Sequence, residues 1–194
     1  MKKAIYIFIF FISQYFFGQQ SNQLWKGYFS YNEIVDVESS TNAVFASTQN
    51  ALFSQVVASS NLNVYNSITG LKPDVITTIH HSDAFNKTFV GNNNGLILIQ
   101  NADGSVTTKV DVIEEVPVPP NKKKINDFFE FNGRLYIATD YGISVIDIAT
   151  SEFISTYFIG TSGEETEVLQ TTVFNNEIYA VTRSFGIRKA NLNN

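Results

Sequence analysis

From residue 31 onward the chain alternates short apolar runs with polar turns, and one pattern of this kind returns four times. Its anchor is an apolar strand, a small or polar turn, and a small residue followed by an apolar one. The copies are Val44-Phe45-Ala46-Ser47-Thr48-Gln49-Asn50-Ala51-Leu52, Phe89-Val90-Gly91-Asn92-Asn93-Asn94-Gly95-Leu96, Tyr136-Ile137-Ala138-Thr139-Asp140-Tyr141-Gly142-Ile143 and Tyr179-Ala180-Val181-Thr182-Arg183-Ser184-Phe185-Gly186-Ile187. The spacing is 44 residues from Ala51 to Gly95, 47 to Gly142 and 44 to Gly186. An alternating strand precedes each copy, at Ile34–Val37, Val75–Ile79, Ile125–Phe129 and Val168–Val173. Turns at Asn42, Asn86, Asn132-Gly133 and Asn175-Asn176 join the two, and Asn and Gly suit hairpins because they tolerate positive φ. A third strand follows each copy (Leu52–Val57, Leu96–Ile99, Ile143–Ile148, Ile187–Ala190). A poorer fourth appears three times (Leu62–Tyr65, Val106–Val112, Phe153–Phe158).

Four short antiparallel strands in about 40–50 residues is the pattern of a β-propeller blade. No window after the first twenty residues sustains a 3.6-residue apolar period, which predicts an all-β protein with almost no helix. The expected blades are about 32–66, 75–112, 125–158 and 168–190. The last lacks an outer strand, since only Asn191-Leu192-Asn193-Asn194 follow Ala190. Propellers of this kind commonly need more than four blades to close. The expectation is therefore an open, incomplete part of a larger propeller over residues 19–194, with a closed ring of four as the alternative. The glycines are structural, turning the chain between the middle strands. Ala51 in the first copy requires that turn to avoid positive φ.

The first residues have a different character. Lys2 and Lys3 precede an unbroken apolar run, Ala4–Ile12, and then Ser13, Gln14, three aromatics and Gly18. This is the pattern of a secretory signal peptide over residues 1–18, too short for a membrane span. Cleavage after Gly18 leaves Gln19 first, although Phe16 is larger than usual at its position. Removing Lys2 and Lys3 takes the net charge from −5 to −7. An acidic chain gives no basic field for nucleic acid. The absence of cysteine excludes disulfides, thiolate metal sites and a cysteine nucleophile.

Candidate chemistry is sparse. His80 and His81 adjoin on an innermost strand and so face opposite sides, which is poor geometry for a shared metal. Glu114-Glu115 and Glu164-Glu165-Thr166-Glu167 fall in connections between blades, where a solvated loop accounts for them. Asn101-Ala102-Asp103-Gly104 lacks the alternating acids of a calcium loop. Pro117-Val118-Pro119-Pro120-Asn121-Lys122-Lys123-Lys124 is the most unusual stretch, a stiff insertion ending in three lysines. Lys122, Lys123 and Lys124 are candidate contacts to an acidic partner or lipopolysaccharide phosphate. No nucleophile elbow, P-loop, zincin or dinucleotide motif is present, and no cofactor is expected.

The run Leu24-Trp25-Lys26-Gly27-Tyr28-Phe29-Ser30-Tyr31-Asn32-Glu33-Ile34, with Asn50-Ala51-Leu52-Phe53 and Thr69-Gly70-Leu71, resembles the start of the PorZ family, Bacteroidota proteins of the type IX secretion system. Val90-Gly91-Asn92-Asn93-Asn94-Gly95-Leu96 is also similar to the two-component-regulator propeller repeat. The resemblance spans residues 19–194. It implies a non-enzymatic scaffold, exported to the periplasm or cell surface. Its implied partners are the proteins of the attachment complex, with lipopolysaccharide as a further one. Trp25, in the most specific run, joins the lysines as a candidate contact. The alternative is the periplasmic sensor propeller of a hybrid two-component regulator. A propeller lyase or sugar hydrolase using His80 or His81 is a third, weaker reading.

Overall fold

The computed structural model describes residues 31–59, 61–116 and 118–192. The expected signal peptide and Trp25 lie outside the described residues. Among the described residues fifteen strands form four antiparallel sheets, each a simple meander. Blade 1 comprises β1 (Ile34–Ser39), β2 (Ala43–Thr48), β3 (Ala51–Val56) and β4 (Leu62–Tyr65). Blade 2 comprises β5 (Ile76–Ser82), β6 (Lys87–Asn92), β7 (Ile97–Gln100) and β8 (Val106–Lys109). Blade 3 comprises β9 (Ile125–Phe131), β10 (Arg134–Thr139), β11 (Ile143–Asp147) and β12 (Phe153–Tyr157). Blade 4 has only β13 (Val168–Phe174), β14 (Glu177–Thr182) and β15 (Gly186–Asn191) among the described residues. This is an open β-propeller.

The turns follow their sequences. Asn86, Asn132-Gly133 and Asn175-Asn176 all hold positive φ, the geometry whose twist matches a tight hairpin. The first hairpin differs. Its Asn42 is not left-handed, and Ser40 closes the turn by accepting the Ala43 N–H on Oγ at 3.0 Å. Ala51 also avoids positive φ, whereas Gly95 at the equivalent place sits at φ +90°. One expectation needs correcting: the fourth strand of blade 2 does not run to Val112. It ends at Lys109, and Asp111–Glu114 form one helical turn, α1, that buries Val112. A continued strand would put Val110 and Val112 on one face; the helical turn instead leaves Val110 exposed and buries Val112.

The core is three apolar layers, one between each pair of neighbouring blades. Phe45, Leu52, Ile79, Val90 and Leu98 fill the first. Phe89, Ile99, Ile125, Phe128 and Ile137 fill the second, and Tyr136, Ala138, Val145, Val168 and Ala180 the third. The middle strands of blades 2 and 3 are consequently buried on both faces and read as continuous apolar runs, as in Ile97–Ile99 and Leu135–Ala138. The end blades have one covered face each. Val37 is 59 % exposed on blade 1, and Phe174 and Ile187 are 64 % and 72 % exposed on blade 4. Innermost strands pack in the order β1, β5, β9, β13, and no packing of comparable extent returns from β13 to β1.

Candidate interaction surface

The innermost strands carry the polar groups that lock blade to blade. Each inner strand begins with an apolar residue and a local bulge against its neighbour, at Ile34, Ile76, Ile125 and Val168. The next position reaches forward to the following blade. Thr77 Oγ1 donates to the Ile125 carbonyl at 2.7 Å, and Asn126 Nδ2 donates to the Val168 carbonyl at 2.9 Å. Val35 occupies that position in blade 1 and has no donor. There the next residue does the work: Asp36 Oδ2 accepts from Thr78 Oγ1 and from the Ile79 N–H, both at 2.9 Å.

Asp127 is the blade 3 counterpart of Asp36. Burial pushes its carboxyl up to about 6, against the pull of the Phe128 and Thr171 main-chain N–H groups, with the Asp36 charge adding to the rise and His80 opposing it. It borders an open cavity of about 660 Å³ with Phe129, Gln170, Phe174, Tyr179 and Ile187. Asp127 and Phe129 reach this cavity from β9 of blade 3, and the rest of its lining comes from the three strands of blade 4.

His80 and His81 diverge as strand geometry requires. His80 reaches Glu38 in blade 1 and Glu130 in blade 3. His81 stacks on Phe45, with ring centroids 4.2 Å apart, and its Nδ1 meets Thr88 Oγ1 at 2.9 Å. Burial holds His81 below the usual histidine value, whereas the two carboxylates overcome burial and raise His80. Neither carboxylate partner could be found from sequence spacing, because both lie more than forty residues away in other blades.

The lysine run separates into three environments. Lys122 is exposed and pairs with Glu165 at 2.7 Å. Lys123 is buried. Its ammonium donates to the Glu115 carbonyl and lies 5.5 Å from the centre of the Tyr141 ring. Desolvation lowers its affinity for the proton, opposed by Glu115 and Glu165. Lys124 is exposed, and its carbonyl accepts the Asp140 N–H. Thus the insertion presents Lys122 and Lys124 outward and uses Lys123 to pin itself on blade 3.

Sequence reading also missed a further lysine. Lys87, at the start of β6, donates to the Ile148 and Ala149 carbonyls and to Ser151 Oγ at 2.7–3.0 Å, stapling blade 2 to the turn between β11 and β12. On the same side of the hairpins Asp83 accepts the Thr41 N–H and hydroxyl.

The rim between blades 3 and 4 contains a groove of about 420 Å³, lined by Tyr136, Ile143, Phe158, Ile178 and Ala190, with Arg134 at its border. Among the described residues β15 is the outermost strand of blade 4, and its Ala190 and Asn191 line the groove.

Residues 44–194 match the model of the TSS9, PorZ, N-terminal beta-propeller domain. The chain belongs to that family. Its four-blade arc resembles PorZ itself, a surface component of the type-IX secretion system of Porphyromonas gingivalis, with a TM-score of 0.73 and 18 % identity over 88 % of this chain and 22 % of that one. The extracellular domain of a hybrid two component system from B. thetaiotaomicron is similar at TM-score 0.64 and 17 % identity, covering 84 % of this chain and 21 % of the other. A computationally designed protein, Ika4, matches at TM-score 0.62 and 13 % identity over 86 % of this chain and 95 % of its own. The chain thus spans about a fifth of the length of the natural structures named here. No curated protein matches it. Among the described residues no helix is long and apolar enough to cross a membrane.

Proposed function

We propose that this PorZ-family propeller is a non-enzymatic segment of a type IX secretion component and works as a protein-interaction scaffold at the cell surface of a Bacteroidota bacterium. The family match over residues 44–194 carries the reading. The apolar groove between blades 3 and 4 supports it, because it offers side-chain contacts to a protein partner. Residues 1–18 act as the signal peptide that exports it, and residues 19–194 form the partial propeller. Lys122 and Lys124 are the candidate contacts on the exposed surface, Lys123 holds the loop that presents them, and Trp25 is a further candidate contact from the sequence. Lipopolysaccharide phosphate is a further partner for these lysines.

The test is capture of the tagged chain from surface-labelled cells of a type IX-competent host. Recovery of attachment-complex proteins, reduced several-fold by Lys122→Glu with Lys124→Glu, supports the scaffold reading. Recovery of none refutes it. N-terminal sequencing of the exported chain should begin at Gln19. The similarity to a hybrid two-component extracellular domain favours a second reading, a periplasmic sensor propeller. That reading predicts saturable binding of a small glycan and no attachment-complex proteins in the same capture.

A further inference from the structure

His80 joins three blades through one side chain. Its Nδ1 lies 3.1 Å from Glu38 Oε1 on β1, and its Nε2 lies 3.0 Å from Glu130 Oε2 on β9. A neutral imidazole has one N–H and one lone pair, and an ionised carboxylate only accepts. A neutral ring would aim its lone pair at one of these two carboxylates at hydrogen-bond distance. The imidazolium donates to both. From this geometry we infer that His80 is held as an imidazolium and acts as a pH-sensitive staple between blades 1, 2 and 3.

The surroundings support that state. His80 has a side chain 15 % exposed, with Glu38 and Glu130 at 31 % and 23 %. The titratable groups on the packed strands are Asp36 and Glu38 on β1, Asp127 and Glu130 on β9, and His81 on β5 itself. Lys87 on β6 is turned to the carbonyls of blade 3, and Asp83 in the adjoining turn is engaged by Thr41. His81 is stacked on Phe45 in the first apolar layer. No second cation therefore competes for Glu38 and Glu130 among these groups. Burial works against charging the ring, but the hydrogen bonds and charges of the two carboxylates outweigh it and the His80 pKa is raised.

Loss of the proton removes one of the two hydrogen bonds and leaves two carboxylates facing a neutral ring. Inner-strand contacts of β5 with β1 and β9 then loosen as pH rises past the His80 midpoint. The staple works in the direction expected of a group whose folded pKa is raised: its stabilisation is complete below the ordinary histidine value of 6.5 and fades as pH climbs through the higher folded value.

Nitrogen-15 NMR of the histidine-labelled chain between pH 5 and 9 tests the proposal without any substitution. Both His80 ring nitrogens should carry protons at a pH where His81 is neutral, and the His80 midpoint should lie above 6.5. Glu130→Gln should lower that midpoint while leaving His81 in place. Amide exchange of β5 and β9, corrected for intrinsic base catalysis, should rise with pH between 6.5 and the His80 midpoint, by at most about tenfold per pH unit, the slope of one linked proton, and level off above the midpoint. His80→Gln should remove this pH dependence; if that variant fails to fold, Glu130→Gln still reports through the shifted exchange profile. A single protonated His80 nitrogen at pH 6, a midpoint at or below that of His81, or exchange indifferent to the His80 titration would each overturn the staple.

Discussion

Replacing Asp127 by Asn should stabilise this propeller at neutral pH and make no difference in acid. Asp127 sits on the innermost strand of blade 3, where burial raises its carboxyl from 3.8 to about 6. The folded state therefore holds a proton more tightly than the unfolded one. Its contribution to stability is complete below about pH 3.8 and is lost as pH rises through 6. The full shift of about 2 units corresponds to about 3 kcal/mol at about 1.4 kcal/mol per unit. Solvent reaches part of the carboxyl, so screening reduces this to on the order of 1–2 kcal/mol. Asparagine is uncharged at every pH and keeps an oxygen that can accept from the Phe128 and Thr171 N–H groups. Urea unfolding of both proteins from pH 4 to 8 reads the difference directly. The variant should gain about 1–2 kcal/mol above pH 7, equivalent to a Tm rise of about 2–6 °C for a chain of this size. The gain should shrink through pH 6 and nearly vanish at pH 4. His80 titrates in an overlapping range, but its contribution largely cancels in the difference between two proteins that share it. A variant no more stable than the parent at pH 7.5, or one with the same advantage at pH 4, refutes the reasoning.

The blade contacts give two further expectations. Gly91→Ala places a Cβ 2.7 Å from Ile125 Cγ2 and 3.0 Å from Phe128 Cζ across the second apolar layer, and should cost about 1–3 kcal/mol in urea unfolding. Asp36→Ala strips the shared acceptor from Thr78 Oγ1 and the Ile79 N–H, and should cost about 1–3 kcal/mol, with amide exchange at Ile79 rising first. Asp36→Asn should recover part of that loss, since an amide oxygen still accepts.

The repeat made the fold legible. A strand is signalled by residues next to one another, so Phe89–Gly91 and Tyr136–Thr139 announced themselves locally. The turns were equally local: Asn132-Gly133 and Asn175-Asn176 adopt the positive φ that such residues permit. In blade 2 Val110 and Val112 extend the alternation of Val106 and so read as strand, while the chain turns helical at Asp111. The lysine run looked uniform along the chain, yet burial depends on the neighbouring blade, and only Lys123 meets Tyr141 and the Glu115 carbonyl.

What the repeat concealed is the chemistry that holds its copies together. Asp36, Thr78, Asp127 and Gln170 follow the same bulge in four blades, and no two neighbours are alike. Asp36 accepts from blade 2, and Thr78 donates back to it; Asp127 is left partly uncharged beside an open face. Such partners lie about forty residues apart, so each residue taken alone resembles an ordinary polar position on a strand. The apolar period specifies that blades form and stack. The unlike residues on the inner strands decide how strongly each particular pair is joined and at what pH. Blade 4 extends this logic to its outer side. Gln170, Thr172 and Phe174 share a strand with no following blade among the described residues, and Phe174 is 64 % exposed. A face built by the same repeat that buries its counterparts, and carrying an exposed aromatic, has the apolar positions that a neighbouring β-sheet would cover.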